Sequence, residues 1–245
     1  MTEVFSDGFE TGNFNAWTGT ASSSGMTIYV NTNHPHHGTY SCETVLAAGT
    51  GYRIAYKNLG SYSTLYARIY VYWVSLPSVS GDNVAALGLT SDNDWYNHFI
   101  NKVSANSDGT NSYWRMDYKS GGSSAHKTGV VALQTGVWYC IELKTVVSAT
   151  IGEARLYVDG TEKLTATGLT NDGLGNIGYN YIGAMGSGYG GNKDVYVDCV
   201  VVADAYIGTE AEAEGQPYVS RVQQISGMQT FNPIHALKVK PRKLI

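Results

Sequence analysis

Alternation of apolar and polar residues with a period of two constrains this chain more than any other feature of its sequence. Two stretches show it best: the apolar sets are Ile69, Val71 and Trp73 in "LYARIYVYWVSL", and Trp114, Met116 and Tyr118 in "SYWRMDYK". Similar runs, separated by Gly, Asn, Asp and Ser clusters, recur to about residue 208, and Asp159-Gly160 is a strong hairpin signal. This pattern predicts an all-β chain that folds into two packed antiparallel sheets.

The composition supports a β protein and argues against two kinds of partner. The chain has 19 Tyr, 29 Gly and only 15% charged residues, with a formal net charge of −4. A weakly acidic surface does not favour nucleic acid, and no apolar run approaches the roughly 18 residues of a membrane span. We therefore predict no nucleic-acid partner and no membrane insertion.

The cysteines and the N-terminal sequence help to predict the cellular compartment of the protein. Cys42, Cys140 and Cys199 lie in strand-like segments without CxxC spacing, so we expect buried free thiols rather than disulfides or a zinc site. The start "MTEVFSDGFE" has neither the basic nor the apolar region of a secretory signal. The expected location is a virion or extracellular surface after cytoplasmic assembly, or secretion if an export signal precedes this sequence.

The chain changes character after Gly208. We assign residues 1–208 to the β domain, 209–217 to an acidic linker ("TEAEAEGQPY" and its surroundings) and 218–245 to a C-terminal tail that ends in basic residues. The tail has too few apolar residues to fold alone, yet those it has recur about every three residues. We expect it to dock, either on its own domain or on a partner or second copy in an assembly.

Three segments carry a resemblance to known families. "GVWYCIELKTVV…GEARLYVDGTEKL" resembles a strand pair of concanavalin A-like (laminin-G-like) lectin and glucanase domains. "DGFETGNFNAW", followed by "HHGTYSCETV", resembles the opening of jelly-roll carbohydrate-binding modules, and "VYVDCVVVADAYIG" resembles their closing strand. The resemblance covers about residues 5–208 and implies a two-sheet antiparallel jelly-roll sandwich with an extended C-terminal tail. It does not imply one activity, because this fold hosts lectins, lyases, hydrolases and structural modules.

The same resemblance implies a structural calcium ion between the opening segment and the closing strand. On this chain, Glu10 and Asp198 would supply carboxylate oxygens, and the shell would be completed by carbonyls near Gly12 and a side chain from Asp7 or Asn13. Calcium accepts six to eight such oxygen ligands. The alternative is that Asp7 and Glu10 only cap turns.

No catalytic pattern stands out. A retaining glycosidase needs two carboxylates about 5 Å apart, and no strand carries the Glu-x-Asp-x-x-Glu run of the glucanase branch. A lyase would pair a Tyr or His base with a cation, and the chain has His98 beside Tyr96, but it lacks the Arg-x-Glu-Leu-Arg and Gln-Ile-His runs of alginate lyases. We therefore expect a protein that is not an enzyme, with lyase chemistry as the main alternative.

A binding face is easier to predict. If the apolar sets above face the core, the intervening residues project from the other sides of their sheets, where Tyr stacks on sugars and Arg binds hydroxyls or carboxylates. The predicted ligand-binding residues are Arg68, Tyr70, Tyr72, His98, Tyr113 and Arg115. The alternative is that tyrosines simply suit half-exposed strands. "NHPHH" (His34, His36, His37) could bind a transition metal, but with no thiol or carboxylate nearby in sequence we expect a solvated loop.

Together these features favour a non-catalytic jelly-roll module that binds a carbohydrate and joins a larger assembly, such as a virion decoration or fibre, through residues 218–245. Two alternatives stay open. One is a secreted polysaccharide-active enzyme of the lyase type, or its carbohydrate-binding module. The other is a purely structural protein without a ligand.

Overall fold

The computed structural model describes residues 1–23, 27–46, 49–189 and 193–210. The strands in chain order are β1 Glu3–Asp7, β2 Gly19–Ser22, β3 Thr27–Asn31, β4 Ser41–Leu46, β5 Gly49–Tyr62, β6 Thr64–Trp73, β7 Asn83–Thr90, β8 Phe99–Ser107, β9 Ser112–Ser120, β10 Ser123–Ala132, β11 Trp138–Val146, β12 Gly152–Val158, β13 Thr161–Leu169, β14 Ile177–Tyr189 and β15 Lys193–Ala203. A short 3₁₀ turn spans Asp172–Leu174. None of the helices in these residues has the length and apolar character needed to cross a membrane.

The strands form two antiparallel sheets. Sheet A has eight strands in the order β13-β12-β11-β6-β15-β4-β3, with β1 pairing along β15 as well. Sheet B has seven strands in the order β10-β9-β8-β7-β14-β5-β2. Strands close in sequence often lie far apart or in opposite sheets, as the long connections of a jelly roll require. The predicted all-β jelly-roll sandwich is confirmed.

The core lies between the sheets and is built by the period-two pattern. Ile69, Val71 and Trp73 of β6 are fully buried there, and Trp114 and Met116 of β9 meet them from the other sheet. The indoles of Trp73 and Trp114 have ring centroids 6.5 Å apart. In both strands, the residues that face the core and those that face away from it are therefore the ones that the alternation predicted.

The β12–β13 hairpin confirms the local turn prediction. Asp159 and Gly160 have φ of 49° and 74°, and positive φ at both central residues is the requirement of a type I′ turn. β15 is the last strand of the described chain, as predicted from "VYVDCVVV". The three cysteines are free and buried, which confirms that prediction too.

The aromatic-rich segment after β1 wraps onto the core. The rings of Phe5 and Trp17 pack edge to face with centroids 4.9 Å apart, and Phe9 is fully buried beside them. The Asp7 carboxylate holds the segment in place: it accepts hydrogen bonds from the backbone N–H of Phe9 (2.8 Å) and from Trp17 Nε1 (2.7 Å).

Residues 1–209 form one compact unit, and residues 210–245 are grouped separately. The structure describes only Glu210 of the second group. The predicted linker beyond that residue and the tail at 218–245 lie outside the described residues.

Candidate functional site

A cleft opens over the outer face of sheet B, the face turned away from the core. Its volume is about 380 Å³, and its walls come from β5, β7, β8, β9, β10 and β14 and from the loop before β8. The polar and aromatic residues that line it include Tyr52, Asn83, Tyr96, Asn97, Lys102, Arg115, Asp117 and Lys119. Strand β9 supplies three of these, since residues 115, 117 and 119 alternate with the core residues of that strand.

Arg115 and Asp117 form the ordered centre of the cleft. Nε and Nη2 of Arg115 both donate to Oδ1 of Asp117, at 2.9 and 2.6 Å, and Nη1 reaches Oδ1 of Asn106 at 3.3 Å. The Asp117 side chain is 8% exposed, so this ion pair is shielded from solvent on the carboxylate side. The pairing fixes the direction in which the guanidinium faces the cleft.

Lys102 and Lys119 add positive charge near this pair. Lys102 lies opposite Asp117 in the β8–β9 register, and the Nζ atoms of Lys102 and Lys119 lie 4.2 and 4.6 Å from the ring centroid of Phe99. Burial lowers the pKa of Lys102, and the nearby Arg115 and Lys119 lower it further while Asp117 opposes them. Among the described residues, the charged lining of the cleft is thus three cations against one carboxylate, which suits an anionic ligand.

An apolar and aromatic floor supports the charged residues. Ile54, Ala85, Tyr181 and Met185 form a second buried cluster on this outer face. Trp95 extends it: its ring centroid lies 5.3 Å from that of Tyr52 and 6.0 Å from that of Tyr56. Tyr96, at the rim, is 64% exposed. Such rings offer flat surfaces on which a sugar ring can pack.

The structure brings only part of the predicted binding set to this cleft. Arg115 lines it, while Tyr113, on the same face of β9, lies outside the lining. In the sequence, His98 lies between two residues that line the cleft, but its own side chain does not line it. Instead, Nδ1 of His98 is 2.7 Å from Oδ2 of Asp92.

The other three predicted residues lie on the opposite sheet, where two of them are buried and the third is half-buried. Arg68, Tyr70 and Tyr72 project from the outer face of sheet A as predicted, but Arg68 is 4% and Tyr70 is 7% exposed. The loop after β3 packs on them, with His36 stacked on Tyr70 (centroids 3.8 Å apart) and His34 on Tyr72 (4.6 Å). The predicted binding face is therefore closed at Arg68 and Tyr70, because a distant loop packs on it, whereas Tyr72 keeps part of its surface exposed.

The chain segment after β15 packs on another part of that face. The Glu142 carboxylate accepts hydrogen bonds from the backbone N–H groups of Ile207 (2.9 Å) and Gly208 (2.8 Å), and Nη1 of Arg68 donates to the Gly208 carbonyl at 3.2 Å. Burial raises the pKa of Glu142, against the opposing effect of these amide donors. Arg68 therefore anchors the chain rather than offering its charge to a ligand.

The histidine loop is exposed at His34 and His37, as predicted for a solvated loop, but not at His36. His36 is half-buried on Tyr70, and desolvation lowers its pKa to about 4, with His37 and Arg68 adding to the effect. A carboxylate distant in sequence holds the loop: Oδ2 of Asp198 accepts hydrogen bonds from the backbone N–H groups of His36 (2.8 Å) and His37 (3.2 Å).

The residues predicted to bind calcium are engaged with amide donors. Glu10 accepts hydrogen bonds from the N–H groups of Thr39 and Tyr40, at 3.0 and 3.1 Å. Asp198 is fully buried, which raises its pKa to about 6 against the effect of its three amide donors. Among the described residues, the carboxylates of Asp7, Glu10 and Asp198 do not converge as one metal-binding group, and Gly12 only closes a turn onto the Phe9 carbonyl. This geometry agrees with the capping alternative, and calcium binding stays a prediction.

Sequence reasoning missed several residues of the cleft. Lys119 continues the period-two series of Arg115 and Asp117, so the alternation could have revealed it. Lys102 could not be found in this way, because its position beside Asp117 depends on the register between β8 and β9. Tyr52 and Trp95 come from separate parts of the chain that only the sheet topology brings together.

Comparison with solved structures finds proteins that share this fold. The chain is similar to an endo-β-1,4-glucuronan lyase from the fungus Trichoderma reesei (TM-score 0.65, 12% identity, covering 83% of this chain and 96% of that one). It is also similar to the cellulose-induced protein Cip1 (TM-score 0.61, 16% identity, 84% and 100%) and to a carbohydrate esterase of the Shiga toxin-encoding bacteriophage phi24B (0.58, 12%, 82% and 97%). No protein-family model and no curated protein matches the sequence. The fold is a concanavalin A-like jelly roll, and at these identities the likeness extends to the fold alone.

Proposed function

We propose that this protein binds an acidic polysaccharide, of the uronate-bearing class, in the cleft of sheet B. The observation that carries the proposal is the grouping of Lys102, Arg115 and Lys119 around the single carboxylate of Asp117. Cations next to neutral donors such as Asn83 and Asn97 suit a chain that carries both carboxylates and hydroxyls.

The aromatic residues support a sugar rather than a small anion. Tyr52 and the exposed Tyr96 line the cleft beside the cations, and Trp95 packs against Tyr52. A phosphate or sulfate ion would need only the charges, whereas a sugar ring also uses flat apolar surfaces. The fold likeness to polysaccharide-active proteins agrees with this ligand class without proving it.

The local charge matters because the protein as a whole is acidic. With a net charge of −4, the chain has no general attraction for polyanions. Binding of a polyuronate would therefore have to come from a local positive site, and the cleft is such a site. High salt should weaken it, since part of the cleft is open to solvent.

Affinity electrophoresis tests this proposal. We expect the protein to be retarded in gels that contain a polyuronate and not in gels that contain a neutral glucan, with a reference protein of similar charge as control. Equal retardation by both polymers, or by neither, would contradict the proposal. Incubation with the polyuronate also tests the lyase alternative, because cleavage by elimination would produce absorbance from unsaturated uronates.

We also propose that residues 218–245 join this domain to a partner or to further copies. The support is the sequence of the tail, whose apolar residues cannot form a core of their own. Light scattering should give an assembled mass for the full chain and a monomer mass for a chain that ends at Thr209, where the compact unit ends. Monomers in both cases would contradict the assembly role.

A further inference from the structure

Two histidines and a cysteine come together on the outer face of sheet A, away from the cleft. A ring nitrogen of His36, a ring nitrogen of His37 and Sγ of Cys199 all lie within 4.8 Å of one another. We propose that these three residues form a binding site for a transition-metal ion of the zinc class. The site is independent of the proposed glycan cleft, which is on the other sheet.

The fold brings the cysteine to this place through an irregularity in β15. The pairing of β15 with β6 shifts register between Asp198 and Val201, and Cys199 has a φ of 50°. At the same point β15 changes its other neighbour from β4 to β1. A non-glycine residue in this conformation is uncommon, and β-bulges of this kind often redirect side chains at functional sites.

The adjacent Asp198 brings the histidines to the cysteine. Its buried carboxylate bonds the backbone N–H groups of both His36 and His37, so the residue before the thiol fixes the loop that carries the imidazoles. The rings of His36 and His37 are tilted together with centroids 4.5 Å apart. Two adjacent histidines and a cysteine distant from them in sequence are thus held together by one short segment of β15.

Aromatic side chains that pack against the donor residues also restrict their orientation. The His36 ring stacks on Tyr70 and meets the edge of Trp138, with centroids 3.8 and 5.3 Å away. Cys199 belongs to the buried cluster of Tyr70 and Cys140. Packing of this kind reduces the rearrangement that metal binding would require.

The distances agree with tetrahedral coordination. Nδ1 of His36 and Sγ of Cys199 are 3.7 Å apart. Zn–N and Zn–S bonds of about 2.0 and 2.3 Å would place the two ligand atoms about 3.5 Å apart in a tetrahedral site. Imidazole and thiolate are borderline-soft donors that select zinc-class ions over calcium, and three ligands from residues 1–209 leave one position for a further donor.

The charged groups near the site have opposing effects on metal binding. Nη2 of Arg68 donates to the Cys199 carbonyl at 3.3 Å, so a guanidinium lies close to the thiol. This cation opposes the positive charge of a bound metal ion. Within residues 1–209, the thiolate and the buried Asp198 carboxylate are negative groups that offset this charge.

Metal titration of the full-length protein under reducing conditions tests the site. After chelation and removal of bound metal, we expect one equivalent of Zn²⁺ to bind in competition with a chromophoric chelator. Co²⁺ should give the visible bands of a tetrahedral ion and a thiolate charge-transfer band. Cys199→Ser should abolish the charge-transfer band and weaken zinc binding at least tenfold, and His36→Asn should also weaken it at least tenfold.

Two matched control variants distinguish the loss of a zinc ligand from the general effects of a substitution. Cys140→Ser changes a neighbouring buried thiol outside the donor set, and His126→Asn changes an exposed histidine on β10; both should bind Zn²⁺ like the wild type. Unchanged zinc affinity in Cys199→Ser would overturn the proposal. If that variant does not fold, the wild-type Co²⁺ spectrum decides alone, and a spectrum without a thiolate band would overturn it.

Discussion

Gly88→Ala is expected to lower the free energy of unfolding by about 3 kcal/mol or more. Gly88 lies directly opposite Tyr181 in the β7–β14 pair, and the phenol ring of Tyr181 occupies the space above it. A Cβ atom at residue 88 would overlap Cζ, Oη and Cε1 of that ring. Tyr181 is 1% exposed, so its ring has nowhere to move without disturbing the floor of the cleft.

Urea unfolding measures this effect against a matched control. Gly173→Ala introduces the same methyl group at a position where a Cβ meets nothing within 4 Å, and it should change stability by less than about 0.5 kcal/mol. In a Tyr181→Ala background the added cost of Gly88→Ala should fall below about 1 kcal/mol, because the clashing ring is gone. Equal costs for the Gly88 and Gly173 substitutions would contradict this account of the floor.

Lys102→Met should weaken binding of a polyuronate at least tenfold while stability stays equal or rises. A charge-assisted hydrogen bond contributes about 1.5–3 kcal/mol, which corresponds to roughly 10-fold to 100-fold in affinity. The gain in stability has a separate cause. Burial holds the pKa of Lys102 below its usual value, so folding opposes its charge, and an apolar side chain of similar length avoids that cost.

Isothermal titration and thermal unfolding of the same variant separate the two effects. Lys163→Met is the matched control, since Lys163 is an exposed lysine on β13 of the other sheet and should affect neither quantity. Lower stability together with unchanged affinity would mean that Lys102 serves the fold and not the ligand. Residues kept for binding often cost stability in this way.

Much of the fold was predictable from the sequence because its signals are local. The alternation in β6 and β9 identified which side chains face the core, and Asp159-Gly160 identified the turn between β12 and β13. Such patterns depend on the geometry of one strand or one hairpin. They hold wherever one face of a sheet is buried against the other sheet.

The candidate site was harder to predict because it depends on contacts between distant segments. Tyr70 pointed away from the core as expected, but nothing in its own strand indicated that His36 would cover it. The same loop lies beside a thiol only because β15 changes conformation at Cys199. Lys102 and Asp117 meet through a strand register that no single stretch of sequence encodes.

The most direct test of the central proposal is isothermal titration of a short oligouronide into the wild-type protein, compared with the same oligosaccharide after reduction of its carboxyl groups. The two ligands share their ring skeleton and differ in the groups that Lys102, Arg115 and Lys119 are proposed to recognise. We predict one-to-one binding of the acidic form and binding at least tenfold weaker for the reduced form. Equal affinity for both, or no binding of either, would contradict a cationic glycan site in the cleft of sheet B.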